Sequence, residues 1–426
     1  MPSPVGHALG GLIVGEIVAP SALLICAVAG VAPDLDFLWG GHNRETHSLG
    51  AALIAPAALS IITTTFAEGA ERTKAMGVWA AIAVGGGAVG LVLGGVLTTA
   101  LSWPWIFFVN VPVGIAVFVL SLRFVPESKD EHAHKSFDLA GAVTVTAGLL
   151  ALVYGIVKAQ EKGWTSLHTG GFFALAVALL VAFVVIERRS AEPLVRLDIF
   201  RVRTVRAANV VMFLVAAGLF AMFYFNTLYL QRVLGYSALE AGLAFLPFTA
   251  GIIIGAGLSQ KFVASLGARE VPLIGMPLAI IGLLLFLRLQ PDSSYVTDLL
   301  PGIMLASIGM GLVFVPITLI ATSGIPSDDA GLASGLFNTS QQVGGALGLA
   351  ILATLAVDAT QNTLTDLGRQ PSEADQAQAL VDGFHVAYLG SALLIGVAFF
   401  ALLFLLRRQD VVAVGEGELA PSSASA

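Results

Sequence analysis

The feature that most constrains this chain is a series of apolar stretches, each close to 20 residues long, which recur along almost its whole length. A helix of about 20 apolar residues can cross the hydrocarbon core of a bilayer. Backbone polar groups in lipid must bond within the protein, so a crossing segment is a helix or part of a closed barrel. The alternation of apolar and polar residues that barrel strands require is absent. The sequence therefore predicts an all-α, polytopic helical membrane bundle.

The composition excludes several other classes of protein. Hydrophobic residues make up 57% of the chain and charged residues 12%, whereas about a quarter of a soluble protein is charged. The formal net charge of −7 provides no basic surface for nucleic acid. Cys26 is the only cysteine, so an internal disulfide is excluded. Membrane lipid is an expected partner, and nucleic acid is not.

Eleven membrane spans are predicted between residues 51 and 406. A less regular apolar region, Ala8–Ala32, precedes them, and the polar tail at 407–426 is predicted to be disordered. The predicted spans are Ala51–Phe66, Gly77–Ala100, Trp105–Leu122, Leu139–Val157, Gly171–Ile186, Ala207–Leu230, Leu239–Phe262, Pro272–Leu287, Leu299–Thr322, Leu332–Val357 and Val386–Leu406.

The positions of lysine and arginine predict how these spans are oriented. If the loop after Phe66 is cytoplasmic and the spans alternate, 15 basic residues fall inside and 5 outside. Cytoplasmic loops carry such an excess of positive charge. We therefore predict a multi-pass protein of the cell membrane, inner or plasma, with a cytoplasmic C-terminus and tail.

A stripe of glycines occupies the second predicted span: Gly77, Gly86, Gly90, Gly94 and Gly95. Glycines at helical spacing remove side chains from one helix face, so that a neighbouring backbone can approach closely. Ordinary small-residue packing, which any membrane bundle uses, is the alternative interpretation. The stripe is thus predicted to be a packing element.

This glycine pattern resembles the antiporter motif of major facilitator superfamily exporters. Further runs resemble segments of the fourteen-helix drug:proton antiporter branch of that family: Trp103–Gly114, Phe137–Gly141, Glu192–Leu194 and Leu332–Ala350. Two positions depart from the family pattern, since Leu91 replaces a proline and Pro104 replaces an arginine. The resemblance covers about Gly50 to Leu406, so residues 51–406 are expected to form the transporter body, without the family's first three helices.

The resemblance implies a function as well as a fold. Two helix bundles would rock around a central cavity, and a proton gradient would drive export of a small amphipathic drug or antibiotic. Multidrug efflux and antibiotic resistance would follow. Neither enzymatic activity nor a cofactor is implied, and no catalytic residues are assigned. The phosphate-binding pattern G-x-x-x-x-G-K-[ST] is absent as well.

Polar residues within the spans are candidates for a substrate cavity. Asn338, Gln341 and Gln342 lie three and four residues apart, which places them on one helix face. Asn226 lies late in a helix rich in aromatic residues. Polar side chains inside a membrane often mark a functional site. Hydrogen bonds that hold helices together are the alternative for all four residues.

Residues 1–50 resemble a different family, the membrane-bound metal-dependent hydrolases (LexA-binding, inner-membrane-associated), through Pro2–His7, Pro33–Asp36 and His42–Ser48. Histidine nitrogens and carboxylate oxygens suit a divalent metal. The candidate ligands are His7, Asp34, Asp36, His42 and His47. Loop residues beside a membrane segment would look the same. The alternative function is therefore a membrane-bound metal-dependent hydrolase fragment, with a divalent metal, fused to a transporter remnant.

Glu16 is the one acidic residue in the apolar region Ala8–Ala32. The family uses an acidic residue of its first helix for proton coupling, and Glu16 is the candidate for that role here. A carboxylate inside a bilayer costs free energy, so acidic residues there are rare and usually mark a functional site. Because Glu16 lies in the segment that resembles the other family, we expect the replaced N-terminus to weaken proton-coupled export.

Overall fold

The computed structural model describes residues 86, 90, 92–112, 138–190, 193–323, 325 and 330–411. Helices dominate these residues, and no strand occurs among them. Eight of the helices in this part of the chain are long and apolar enough to cross a membrane. Their bounds are Leu139–Lys162 for α1, Leu167–Arg189 for α2, Arg203–Leu228 for α3, Leu246–Leu266 for α4, Glu270–Leu285 for α5, Leu300–Thr322 for α6, Ala330–Asp366 for α7 and Glu373–Leu405 for α8.

The all-α membrane fold predicted from the sequence is confirmed, because the last eight predicted spans coincide with α1 to α8. Before α1, the described residues include a helical stretch at 92–100 and a short helix, Trp105–Phe108. Most of the first three predicted spans lies outside the described residues. A short helix, Ala238–Ala244, leads into α4.

Helix α8 begins at Glu373, well before the predicted start at Val386. A capping box fixes this start: the Asp375 N–H donates to Ser372 Oγ at 3.2 Å, and the Ser372 N–H donates to Asp375 Oδ2 at 2.8 Å. Arg369 also pairs with Asp375 at 2.7 Å. The extra turns are polar, so a search for apolar spans leaves them out.

Helices α3 to α8 pack into one bundle, and α1 and α2 form a separate hairpin beside it. Within the bundle, α6 packs on α4 and α5, α3 packs on α7 and α8, and α5 packs on α8. The hairpin contacts the bundle through α1 and α7. Its turn contributes one further link, since Trp164 Nε1 donates to Asp358 Oδ2 of α7 at 3.3 Å.

Glycines bring α6 into backbone contact with both of its main neighbours. A Cβ placed on Gly255 of α4 would lie 2.9 Å from the Cα of Gly311 on α6. A Cβ placed on Gly275 of α5 would lie 2.6 Å from the carbonyl oxygen of Gly309, also on α6. Side chains are thus excluded from the centre of both contacts, which is how membrane helices approach most closely.

Helices α3 and α7 run side by side in the same direction. Ser340 Oγ donates to Asn209 Oδ1 at 2.7 Å. Two turns further along both helices, a Cβ on Gly348 would meet the Ala217 side chain. The sequence offset between partners is the same in both pairs, so the two helices are parallel and their register is fixed.

The end of α8 is held by Arg269, in the loop between α4 and α5. Its Nε donates to the carbonyl oxygen of Leu406 at 2.8 Å, which satisfies an acceptor that the helix leaves open. Asp410 pairs with Arg203 at 3.6 Å. The first residues of the predicted tail are therefore held on the bundle, and residues 412–426 lie outside the described part. The side of the membrane that this end faces stays a prediction.

Candidate functional site

The four polar residues predicted to line a cavity do not come together. The Asn209–Ser340 hydrogen bond places Asn338 level with the start of α3. Asn226 lies 19 residues after that level, which corresponds to about 28 Å along the axis at about 1.5 Å per residue. Asn226 is therefore at one end of the α3–α7 pair, and Asn338, Gln341 and Gln342 are at the other.

Asn226 belongs to a closed cluster of buried residues. Tyr388 Oη of α8 donates to Asn226 Oδ1 at 2.8 Å, and both side chains are 0% exposed. The rings of Phe225 and Phe286 lie 6.4 and 5.0 Å from the Tyr388 ring, and Phe384 lies 5.4 Å from Phe225. This cluster joins α3 to α8. Asn226 Nδ2, like Asn338 Nδ2 at the other end, has no hydrogen-bond partner among the described residues.

Two further hydrogen bonds close this end of the bundle. Tyr229 Oη donates to the carbonyl oxygen of Gln290 at 2.7 Å. His385 Nε2 lies 3.0 Å from the carbonyl oxygen of Leu289, within hydrogen-bonding distance. Both contacts occupy carbonyl groups that follow α5, where the helix has ended. Tyr229 is one of the aromatic residues that the sequence places around Asn226. Tyr388 and His385 were missed, because each is a single polar group without a spacing signal.

The opposite end of the α3–α7 pair carries three amide side chains on α7, one of which has an unpaired nitrogen within the described part of the chain. Asn338, Gln341 and Gln342 are all half-buried. Asn338 Nδ2 is buried and has no hydrogen-bond partner among the described residues. Ser340 of the same turn, by contrast, is engaged with Asn209 on α3. The face defined by Asn338, Gln341 and Gln342, called the amide face below, thus has at least one amide donor that no described residue satisfies.

An aromatic surface continues the amide face. Gly345 follows Gln341 by one helical turn, and a Cβ placed on Gly345 would lie 2.8 Å from the Phe220 ring of α3. Phe220 itself is half-buried. Amide donors and acceptors beside an aromatic ring can bind a flat molecule that carries both polar and apolar groups.

The glycine stripe has its closest described contact at Gly95. A Cβ placed there would lie 2.8 Å from the carbonyl oxygen of Ala238 and from the Cα of Leu239, at the start of the short helix before α4. A Cβ on Gly94 would meet nothing among the described residues. Gly86 and Gly90 are helical, and Gly86 is buried, whereas Gly77 lies outside the described residues.

The candidates in the first 50 residues lie outside the described residues: Glu16, His7, Asp34, Asp36, His42 and His47. Within the described part, no group of three or more His, Cys, Asp or Glu side chains is placed to hold a metal ion. The amide face on α7 is therefore the candidate site that can be built from the described residues.

Comparison with known proteins relates the chain to one family of transporters and to resistance and export proteins. Residues 46–349 match the model of the Major Facilitator Superfamily. The chain is 37% identical to the puromycin resistance protein pur8 of Streptomyces alboniger, over 89% of this chain and 76% of that protein. It is 39% identical to the cephamycin export protein CmcT of Amycolatopsis lactamdurans, over 78% and 69%. It is also 34% identical to the multidrug resistance protein Stp of Mycobacterium tuberculosis (strain ATCC 25618 / H37Rv), over 76% and 60%.

Solved structures share the fold. The crystal structure of a bacterial homolog to the human lysosomal transporter Spinster superposes with a TM-score of 0.50 and 14% identity, over 96% of this chain and 86% of that one. An auto-inhibited POT family peptide transporter gives a TM-score of 0.50 and 18% identity, over 93% and 86%. The fold, the family match and the curated relatives agree, and this multi-pass membrane protein belongs to the major facilitator superfamily of transporters.

Proposed function

We propose that this chain exports small amphipathic drugs or antibiotics across the cell membrane, and that it draws its energy from a proton gradient as in the fourteen-helix drug:proton antiporter branch. The relatives that support this proposal are named as resistance or export proteins for puromycin, cephamycin and multiple drugs. The sequence runs described above resemble the same branch of the family.

The amide face is the observation that carries the proposal. A buried amide nitrogen without a partner, such as Asn338 Nδ2, costs free energy in a folded protein. Polar groups in a membrane helix are tolerated mainly where they face a cavity or another polar group. Substrate amides, hydroxyls or carbonyls would supply the missing partners, and Phe220 would contact the apolar part of the substrate.

Transport is tested with the full chain in proteoliposomes under an imposed pH gradient, with puromycin as the probe. We expect puromycin to accumulate against its concentration gradient, and to stop doing so when a protonophore removes the pH gradient. Glu16→Gln should abolish this accumulation and leave puromycin exchange without a gradient intact. A folded protein that moves puromycin neither way would contradict the proposal.

The site is tested by single substitutions on α7. Gln341→Ala or Asn338→Ala should raise KM for puromycin by about 2- to 10-fold, as the loss of one hydrogen bond predicts. Thr339→Ala is the matched control, because Thr339 is exposed and donates to the carbonyl of Gly335 in its own helix at 2.9 Å. Equal KM values for all three variants and the parent would exclude the amide face as the binding site.

A further inference from the structure

Two carboxyl groups meet at one end of the α1–α2 hairpin. Asp138 caps the start of α1, where its Oδ1 accepts the N–H of Gly141 at 2.7 Å. Glu187 lies in the last turn of α2 and is 4% exposed. Its Oε2 accepts the N–H of Val195 at 3.0 Å. Each carboxyl group thus uses one oxygen to hold the backbone.

The second oxygen of each group is buried and unpartnered. Asp138 Oδ2 and Glu187 Oε1 have no hydrogen-bond donor among the described residues. A Cβ placed on Gly141 would lie 3.0 Å from Asp138 Oδ2 and 2.6 Å from Glu187 Oε1. The two oxygens are therefore separated by at most the sum of these distances, about 5.6 Å, close enough for two negative charges to oppose each other strongly.

Neither carboxyl group forms a salt bridge with a basic side chain of the described residues. Arg188 and Arg189 are exposed and follow Glu187 on α2, and Arg196 is exposed beyond Val195. Helix α7, which packs on α1, carries no charged residue before Asp358 in its described part. Asp358 lies at the opposite end of the hairpin, beside Trp164.

We propose that Asp138 and Glu187 bind one proton between them, as a carboxylic acid paired with a carboxylate. Two carboxyl groups whose buried oxygens lie this close repel each other when both carry a negative charge, and one proton removes that repulsion. The shared proton provides the donor that both oxygens lack, since the O–H of one group donates to the free oxygen of the other. This site goes beyond the proposed export function, because it belongs to the hairpin and not to the amide face.

The proton holds the two helix ends together, so its release would place two adjacent negative charges between α1 and α2. A larger residue at Gly141 would enter the space between the two oxygens and displace the Glu187 carboxyl group. The site consequently makes the packing of this end of the hairpin dependent on pH. Its effect on stability has a defined sign. The folded protein retains a proton that a carboxyl group of the unfolded chain releases at about pH 4, so stability falls as the pH rises above about 4.

Infrared spectroscopy of the purified full chain at neutral pH tests the proton directly. We expect the carbonyl stretch of a protonated carboxylic acid in the parent protein and its loss in Glu187→Gln and in Asp138→Asn. The control is Asp198→Asn, since Asp198 is exposed and pairs with Arg201 at 3.2 Å; it should keep the band. A band that survives both substitutions at the pair, or is absent from the parent, would overturn the proposal.

Thermal unfolding at a series of pH values gives a second readout. In Glu187→Gln the amide Nε2 can donate to Asp138 Oδ2 without a proton, so this variant should lose the fall in melting temperature that the parent shows towards alkaline pH. Glu187→Ala should be less stable than Glu187→Gln at every pH. Equal pH dependence in the parent and in Glu187→Gln would contradict a shared proton. So would stabilisation of the parent alone by added Ca²⁺, which would indicate a cation between the carboxylates.

Discussion

In the bundle of α3 to α8, several glycines lie against the backbone of a neighbouring helix, whereas in the α1–α2 hairpin Gly141, Gly148 and Gly155 lie against side chains. Gly255 of α4 faces the carbonyl oxygen of Ile308 and the Cα of Gly311 on α6. Gly155 of α1 faces the ring of Phe173 on α2, with a Cβ position 2.9 Å from the nearest ring carbon. Both glycines are buried, so the difference lies in what surrounds them.

The difference shows how the two regions are stabilised. In the most apolar part of α3, 67% of the residues are buried within the protein, compared with 11% in α2. Backbone atoms cannot move aside without moving a whole helix, whereas a side chain can adopt another rotamer. The bundle therefore depends on close main-chain approach, and the hairpin depends on adaptable side chains, many of which face lipid.

The largest predicted effect is that of Gly255→Ala. The added methyl group would push against Ile308 and Gly311, and such overpacking costs about 1–3 kcal/mol or more. Gly155→Ala is the matched variant, and it should cost less than about 1 kcal/mol because the Phe173 ring can shift and alanine favours the helix by about 0.5–1 kcal/mol. Thermal unfolding of both purified proteins gives the comparison. Equal losses would show that the hairpin is as tightly constrained as the bundle.

A medium effect is predicted for the hydrogen bond between Tyr388 and Asn226 within the bundle. Tyr388→Phe leaves the buried Asn226 Oδ1 without its donor, at a cost of about 1–3 kcal/mol. Adding Asn226→Leu should recover part of this loss, since both partners are then apolar. A double-mutant cycle of unfolding free energies measures the coupling between the two sites. Additive losses would mean that the hydrogen bond contributes nothing of its own.

The smallest effect is predicted where the hairpin is tied to the bundle. Trp164→Phe removes one exposed hydrogen bond to Asp358 of 3.3 Å, so the unfolding free energy should fall by about 0.5 kcal/mol or less. Asp358→Asn keeps an acceptor oxygen and should have no measurable effect. A loss well above 1 kcal/mol for Trp164→Phe would show that the hairpin depends on this link.

Hydropathy alone predicted the eight spans that the structure describes, because the bilayer sets the length of a crossing helix. It placed the start of α8 too late at Val386, since the capping box at Ser372 and Asp375 extends the helix through polar residues. Hydropathy identifies the part of a helix that lies within the lipid, but it does not identify polar turns that extend beyond it. Local capping chemistry then decides where the helix begins.

The site was less predictable than the spans. The spacing of Asn338, Gln341 and Gln342 predicts a common face because α7 is helical there, and their role in binding stays a prediction. Grouping Asn226 with them required knowing which helices are neighbours and in which register, and a single sequence does not contain that information. The same limit applies to Gly94 and Gly95, where the rotation of the helix decides which of the two meets Leu239.

The main-chain contacts of α6 also bear on how this bundle can move. Interfaces formed by side chains can switch between rotamers, but the contacts of Gly255 with Gly311 and of Gly275 with Gly309 have no rotamers to exchange. Any displacement of α4 or α5 relative to α6 would be a shear of one backbone along another. These contacts therefore oppose movement of α4 and α5 relative to α6. Bending during a conformational cycle is left to the flanks, where π-helical turns at Tyr229–Val233 and Tyr295–Leu299 interrupt the regular α-helical bonding.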